Sequence, residues 1–354
     1  MSKIVNNNLP LSASNPTPTS RTAKPNSDFY SIFSEIEVNE IIQVLEVSRE
    51  IPLKYAYKGK GAKNWDNFYQ KYIVPKWYRK SSLEIDLLRE NFEYINGSPQ
   101  KCKKVNIVDV GAGNSYPVKE FIFRLNSLGV INQYVAFDIS QELLDLSKQN
   151  AHKWFPLLKY ANYTIDIENA CLPESLLTNQ SDDIAKIILH LGVTFANHQN
   201  RAKVLKNLRN SMVEKDLLVF TVETGSNSQW DGKARGAYKY HVEQISEWIK
   251  NKFGFKAEDC ELVRKYDLET DSIVATLKLL HDYNISFNLA GIDKSIQIST
   301  GEEITIWRHH KYEMPELIQE LEQAGLQLVH YSTDKYQPLV MVICQVCSCV
   351  APNI

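Results

Sequence analysis

Two glycines directly after an apolar run are the first residues in this chain that promise chemistry. Val105 to Val110 (VNIVDV) runs into GAGNS, and a helix-like PVKEFIFRLNSL follows. Glycines after a buried strand let the backbone turn tightly and approach a ligand, while the amides opening the next helix face it. Tyr116 stands where the third glycine of the dinucleotide fingerprint belongs. A bulky side chain there obstructs helix–strand packing and pyrophosphate binding. The turn therefore argues against NAD and for a ligand without a pyrophosphate, such as S-adenosylmethionine.

Two acids extend the pattern. Asp138 closes the strand-like YVAFD, 27 residues after Gly111, where a carboxylate can accept hydrogen bonds from both ribose hydroxyls. Its plainer reading is a favourable charge at the next helix start. Asp166 closes YTIDI, within reach of an adenine amino group, or else serves as a turn aspartate. HLGVTFANH follows the next strand. Ligands of open α/β sheets bind beyond the carboxyl ends of the strands, so Asn197 offers a donor and acceptors to a substrate amine or carboxylate. The alternative is a cap for the helix RAKVLKNL. His190 and His198 flank Asn197 without a third ligand at metal spacing, and CQVCSC near the end has no partner cluster, so no metal site is expected.

These residues need a sheet to hold them. The middle of the chain alternates VNIVDV, YVAFD, NYTIDI, IAKIILHL and DLLVFTVE with helix-like segments, the signature of a doubly wound parallel sheet. Ser140 is the natural N-cap of SQELLDLSKQN. After Val222 the alternation breaks into the loop TGSNSQWDGKARG and a separate lobe, with SIVATLKLLHDYNISF strand-like. A strand EEITIWRHHKY, a helix ending at Gly325 and a hairpin close the chain. The expected organisation is a disordered tail over 1–26, a ligand-binding α/β domain over 91–224 plus 304–354, and a smaller substrate-binding domain over 27–90 plus 225–303. The charges, 40 Lys+Arg against 42 Asp+Glu, argue against a nucleic-acid partner, which usually needs a basic face. Apolar runs fall short of the ~20 residues a bilayer needs. Six cysteines, three standing alone and three clustered at the end, make no disulfide framework, and with no apolar leader they fit a reducing cytoplasm.

The order PLKYAYKGKGAKNW, VDVGAGNS, YVAFDIS, IDI, LGVTFAN and ITIWRHHKY resembles the S-adenosylmethionine-dependent histidine N-alpha-methyltransferases of the ergothioneine pathway and the related fungal dimethylallyltryptophan N-methyltransferases. The resemblance implies a Rossmann-type class I methyltransferase sheet with a small substrate-binding domain, and S-adenosylmethionine as cofactor. It implies cofactor contacts at Gly111, Ala112, Gly113, Ser115, Asp138, Ile139, Asp166, Ile167 and Leu191. Tyr57 and Asn197 correspond to residues orienting the substrate amine, Tyr238 to one near its carboxylate, and Trp77 or Tyr78 to a further pocket tyrosine. The family's phosphate-loop lysine is replaced by Pro117, with Lys119 nearby.

The largest departure concerns the substrate. Trp307 and His309 stand where the histidine enzymes carry a glutamate and a serine around the imidazole. Losing that carboxylate removes a charge-assisted partner worth roughly 1.5–3 kcal/mol. The resemblance, so modified, implies a monomeric enzyme that methylates the amine of a non-histidine amino acid or amino-acid-derived small molecule in specialised metabolism. Trp307 would stack on a planar or cationic group and His309 would line the same pocket. An O-methyltransferase and a non-catalytic S-adenosylmethionine-binding regulator are the competing readings.

Overall fold

The computed structural model describes residues 20–74, 83–98, 102–173, 175, 183–233, 237–289, 291–334 and 338–347. Its strands are β1 (Arg21–Ala23), β2 (Lys104–Val110), β3 (Ile131–Asp138), β4 (Tyr160–Thr164), β5 (Ile184–His190) and β6 (Leu217–Glu223). There follow β7 (Cys260–Asp267), β8 (Ser272–Leu279), β9 (Tyr283–Leu289), β10 (Ile292–Ile298) and β11 (Glu303–His309). The last pair is β12 (Leu326–Thr333) and β13 (Leu339–Val346).

Seven strands form one sheet in the order β12-β13-β6-β5-β2-β3-β4. β2 to β6 run parallel, while β13 is antiparallel to β6 and to β12. Both faces are covered, which is why the strands read as continuous apolar runs. The alternation is visible in the cores they feed. Val105, Ile107, Ile187 and Leu189 pack on one face with the helices Leu83–Glu90, Lys119–Ser127 and Gln141–Trp154. Val108, Val110, Ile188 and Phe220 pack on the other with Arg201–Asn210 and Met314–Gln323. Ser140 caps its helix by accepting the Leu143 amide.

The smaller lobe joins two three-stranded sheets, β1-β9-β10 and β11-β8-β7. A third core holds them to the helices Ser27–Ile32, Glu35–Ser48 and Ala237–Phe253. Three expectations need correction here. The tail does not extend to residue 26: Arg21–Ala23 pair in parallel with β9, and Ala23 is fully buried. β11 completes the smaller lobe rather than the large sheet, because Ile304 and Ile306 bury in that lobe's core and β11 pairs with β8. Conversely, helix Leu83–Glu90 packs Leu83, Leu87 and Leu88 against the large sheet, not the substrate lobe. The run SIVATLKLLHDYNISF divides into β8 and β9.

The lobes meet just past β11, where the His310 amide donates to the Ala196 carbonyl at 3.0 Å and the Tyr312 amide to the Glu223 carbonyl at 2.9 Å. Within the smaller lobe, β11 is tied to the segment after helix Glu35–Ser48. The amide of Ile51 donates to the Thr305 carbonyl at 2.9 Å, and that of Thr305 to the Arg49 carbonyl at 2.8 Å. Beside this bridge Arg308 holds Glu50 in a bidentate pair at 3.0 and 2.5 Å, with both side chains buried. Removing one member of a buried pair leaves the other charge uncompensated, at a cost of about 3–5 kcal/mol. Glu50→Ala is expected to lose stability of that order in urea unfolding, and Glu50→Met/Arg308→Met to recover most of it. A single variant as stable as the wild type would show that the pair contributes nothing.

Candidate functional site

The strand order reverses between β2 and β5, and a crevice opens at the carboxyl ends of the strands flanking such a point. A cavity of about 290 Å³ occupies it. Its floor is built from strand ends: Val110 and Gly111 after β2, Asp138 and Ile139 after β3, Ile165 to Glu168 after β4, His190 to Thr194 after β5, and Glu223 on β6. The smaller lobe supplies the roof through Tyr57, Trp65, Phe68, Tyr69, His241 and Trp307.

The glycine turn has two reasons for its composition. Gly111 and Gly113 both have positive φ, at 74° and 53°, a region that favours residues without a Cβ. A Cβ on Gly113 would also lie 2.6 Å from the Trp65 ring. Trp65 belongs to helix Lys60–Phe68, which docks on the large domain where Asn114 donates to Asp66 at 2.7 Å. The Gly59 amide just before this helix donates to Glu142 at 3.1 Å.

Asp138 is buried, and its two oxygens accept the amides of Gly113 at 2.9 Å and Ser140 at 3.0 Å. Burial nevertheless pushes its carboxyl up to about 6. Each oxygen keeps a lone pair, so the carboxylate can accept two further donors. Asp109 beneath it is pushed up to about 7, by burial first and by the charges of Asp138 and Glu84. The Tyr134 hydroxyl donates to Asp109 at 2.8 Å. With Leu143, Ile139 and Ile167 as an apolar slot beside the turn, these groups fit a nucleoside whose ribose hydroxyls need an acceptor.

Gly111, Ala112, Gly113, Asp138, Ile139, Asp166, Ile167 and Leu191 all line the cavity, as do Tyr57, Asn197 and Trp307. Ser115 does not. It is buried beneath the turn, where its hydroxyl meets those of Tyr134 and Ser147. His309 is likewise absent from the wall. Its Nδ1 lies 3.2 Å from Asn197 Oδ1 and its Nε2 3.1 Å from Glu223 Oε2, so it holds the asparagine from behind. Asn197 is not the helix cap; Asn200 is, accepting the Lys203 amide at 3.0 Å. Asp166 reaches the cavity already engaged, with Lys54 at 2.5 Å and Asn169 at 2.7 Å on one oxygen. Lys119 lies over the Trp154 ring at 4.8 Å, away from the cavity wall. Trp77, Tyr78 and the side chain of Tyr238 fall outside the described residues.

Several wall residues were not anticipated. Glu50, Glu84, Asp109, Glu168 and Glu223 join Asp138 and Asp166, so the cavity is strongly acidic, and Lys54 is the cation among its described lining residues. Glu84 is buried, which raises its carboxyl, and it accepts from the Gly192 amide and the Thr221 hydroxyl. Burial and the neighbouring His198 bring His190 down to about 3. Against burial, His198 and the Asn200 amide hold Glu168 down to about 2. His241 was also missed; only its place near the start of a helix, next to Tyr238 and Tyr240 in sequence, hinted at it. Among the described residues no group of three or more His, Cys, Asp or Glu side chains converges as metal ligands would, and no helix is long and apolar enough to cross a membrane.

The parallel sheet with one antiparallel strand near its edge, the glycine turn and the acid ending the next strand define a class I methyltransferase using S-adenosylmethionine. The chain belongs to the S-adenosylmethionine-dependent histidine-specific methyltransferase family, whose model matches residues 37–346. Comparison with curated proteins yields no match. Among solved structures, an S-adenosylmethionine-dependent methyltransferase from Clostridium acetobutylicum aligns with a TM-score of 0.46 at 13% identity, over 80% of this chain and 98% of that one. Magnesium protoporphyrin IX methyltransferase from Synechocystis, solved with S-adenosylhomocysteine, gives 0.45 at 9% identity, over 83% and 97%.

Because the raised Asp138 group must be ionised to accept hydroxyl donors on both oxygens, cofactor affinity is expected to fall as pH drops through about 6. Asp138→Asn should weaken S-adenosylmethionine binding at pH 7.5 by about 10- to 100-fold, the equivalent of a hydrogen bond to a charged group, and flatten the acid limb. Calorimetric titration across pH 5–8 reads both. An unchanged affinity in the variant would remove Asp138 from the cofactor site.

Proposed function

We propose that this chain transfers methyl groups from S-adenosylmethionine to the amine of a non-histidine amino acid or amino-acid-derived small molecule in specialised metabolism. The wall formed by β11 carries the reading. A register shift between Thr305 and Trp307 marks a bulge, a device that re-aims side chains, and Trp307 faces the cavity with His309 stacked behind it at 5.9 Å and 18°. An aromatic face there suits an indole or an organic cation. An imidazole would find no carboxylate of that strand in the cavity wall, since Glu303 is held by Thr276 and Lys265, and Glu223 Oε2 is already bonded to His309.

Bound S-adenosylmethionine supplies the electrophilic methyl. The chain's own contribution is placement, for which effective molarity can remove roughly 7–11 kcal/mol of barrier. Asn197, fixed by His309, presents its amide donors to the substrate. The aromatic roof of Trp65, Phe68, Tyr69 and Trp307 excludes water, and the surrounding carboxylates favour a cationic ligand over an anionic one. An α-amino group with a pKa of about 7.7–8.0 has a neutral fraction near pH 8, so no strong base is required.

Mass-spectrometric turnover with S-adenosylmethionine tests the reading on histidine, tryptophan, arylalkylamines and guanidino amines. One or more added methyls on an aromatic or cationic amine, with histidine inert, is the expected result. Asn197→Ala should lower kcat/KM for that amine on the order of 100-fold, the effect of misplacing a reactant, with little change in cofactor affinity. Methylation of histidine at a comparable rate would overturn the substrate assignment, and a base-labile product would point to oxygen as the acceptor.

A further inference from the structure

Tyr57 and His241 form a polar pair in the cavity wall. Tyr57 ends the short 3-10 turn Leu53–Tyr57, and His241 lies near the start of helix Ala237–Phe253. Both line the cavity. The Tyr57 hydroxyl is 3.2 Å from His241 Nε2, and the two rings are nearly parallel, 5.9 Å apart at 20°. Phe68 lies against the same imidazole at 5.3 Å. Wedged between these rings, the imidazole has little freedom to turn its Nε2 away from the hydroxyl.

The direction of this bond decides what Tyr57 offers the ligand. A phenol O–H is a better donor than an imidazole N–H, and an imidazole lone pair is a better acceptor than a phenol oxygen. Burial brings His241 down to about 4, so Nε2 keeps a lone pair at neutral pH. Burial, with the Asp138 charge adding to it, raises Tyr57 and keeps its proton in place. With that proton directed at Nε2, the oxygen turns only lone pairs toward the cavity.

We infer that His241 is a positioning residue that fixes the polarity of the Tyr57 hydroxyl, so that Tyr57 offers an acceptor for a substrate N–H and no donor to the substrate's lone pair. The inference rests on the amine methylation proposed above. A freely rotating hydroxyl would donate to the amine nitrogen and occupy the electron pair that must form the new bond. Held by His241, it accepts an N–H and leaves that pair free. The nitrogen pair then forms the N–C bond, the C–S bond breaks with its electrons going to sulfur, and the positive charge passes to nitrogen. No proton crosses Tyr57 or His241 in that step. Amines that carry an N–H are therefore the substrates, and methylation stops at the tertiary amine.

The full-length chain carrying 15N-labelled histidine tests the polarity without any substrate. At pH 7 His241, assigned by the signal lost in His241→Gln, is expected to be neutral with the proton on Nδ1 and a bare Nε2 whose shift moves in Tyr57→Phe. A proton on Nε2 overturns the inference. Turnover on tryptophan, N-methyltryptophan and N,N-dimethyltryptophan gives the second test. The first two should react and the third should not; a quaternary product overturns the inference. His241→Phe should lower kcat about tenfold while leaving the KM for S-adenosylmethionine within about twofold. In a Tyr57→Phe background it should add less than about twofold, since residues acting as one unit are not additive. Additive losses would mean that His241 only fills space. If none of the three amines reacts with the wild-type chain, the proposed substrate class fails, and the tautomer measurement still decides the role of His241.

Discussion

Burying negative charge around one cavity is the constraint on which the rest of this structure depends. Carboxylates leave water at a cost of several kcal/mol each unless partners replace their hydration. Here every strand end that builds the floor also brings a partner. Backbone amides serve Asp138 and Glu84, a tyrosine hydroxyl serves Asp109, and a lysine reaches across from the smaller lobe to Asp166. Arg308 answers Glu50, and a histidine answers Glu223. Two of these bonds, Lys54 to Asp166 and His309 to Glu223, also join the lobes, so part of what makes the cavity tolerable holds the two halves together.

The sheet was readable in the sequence because its signals are local. A strand buried on both faces must be apolar throughout, a glycine turn must follow it, and Ser140 caps the next helix three residues ahead of the amide it accepts. The acid pair Asp138 and Asp166 was reached by the same logic of strand ends. What escaped is held by bonds between distant segments. Glu50 and Arg308 are 258 positions apart, Tyr57 and His241 184, and no periodicity records such a meeting. β11 escaped for a related reason: an apolar strand announces that it will be buried, not which sheet it will complete. His309 was placed in the pocket by its correspondence to a residue around the imidazole in the histidine enzymes, when the strand puts it one layer back, holding Asn197.

Gly113 shows how one signal can carry two meanings. Read from sequence, the glycine makes room for a ligand. In the fold it also makes room for Trp65, whose ring would meet any Cβ there. The turn is therefore a joint between lobes as well as a cradle, and the aromatic roof is registered on the cofactor floor through the same residue.

The smaller lobe is assembled from segments that lie far apart along the chain, and this bears on how the molecule is made. β1 must wait for Tyr283–Ile285 to be synthesised, and Arg49–Ile51 for Thr305. At translation speeds of about 5–20 residues per second, the apolar side chains between Phe29 and Ala56 spend on the order of ten to fifty seconds without the strands that cover them. The central strands β2 to β6, by contrast, find their neighbours within a short stretch of nascent chain. The central strands have a head start, the smaller lobe closes once β11 has emerged, and β12 and β13 arrive last to finish the large sheet on a template already formed.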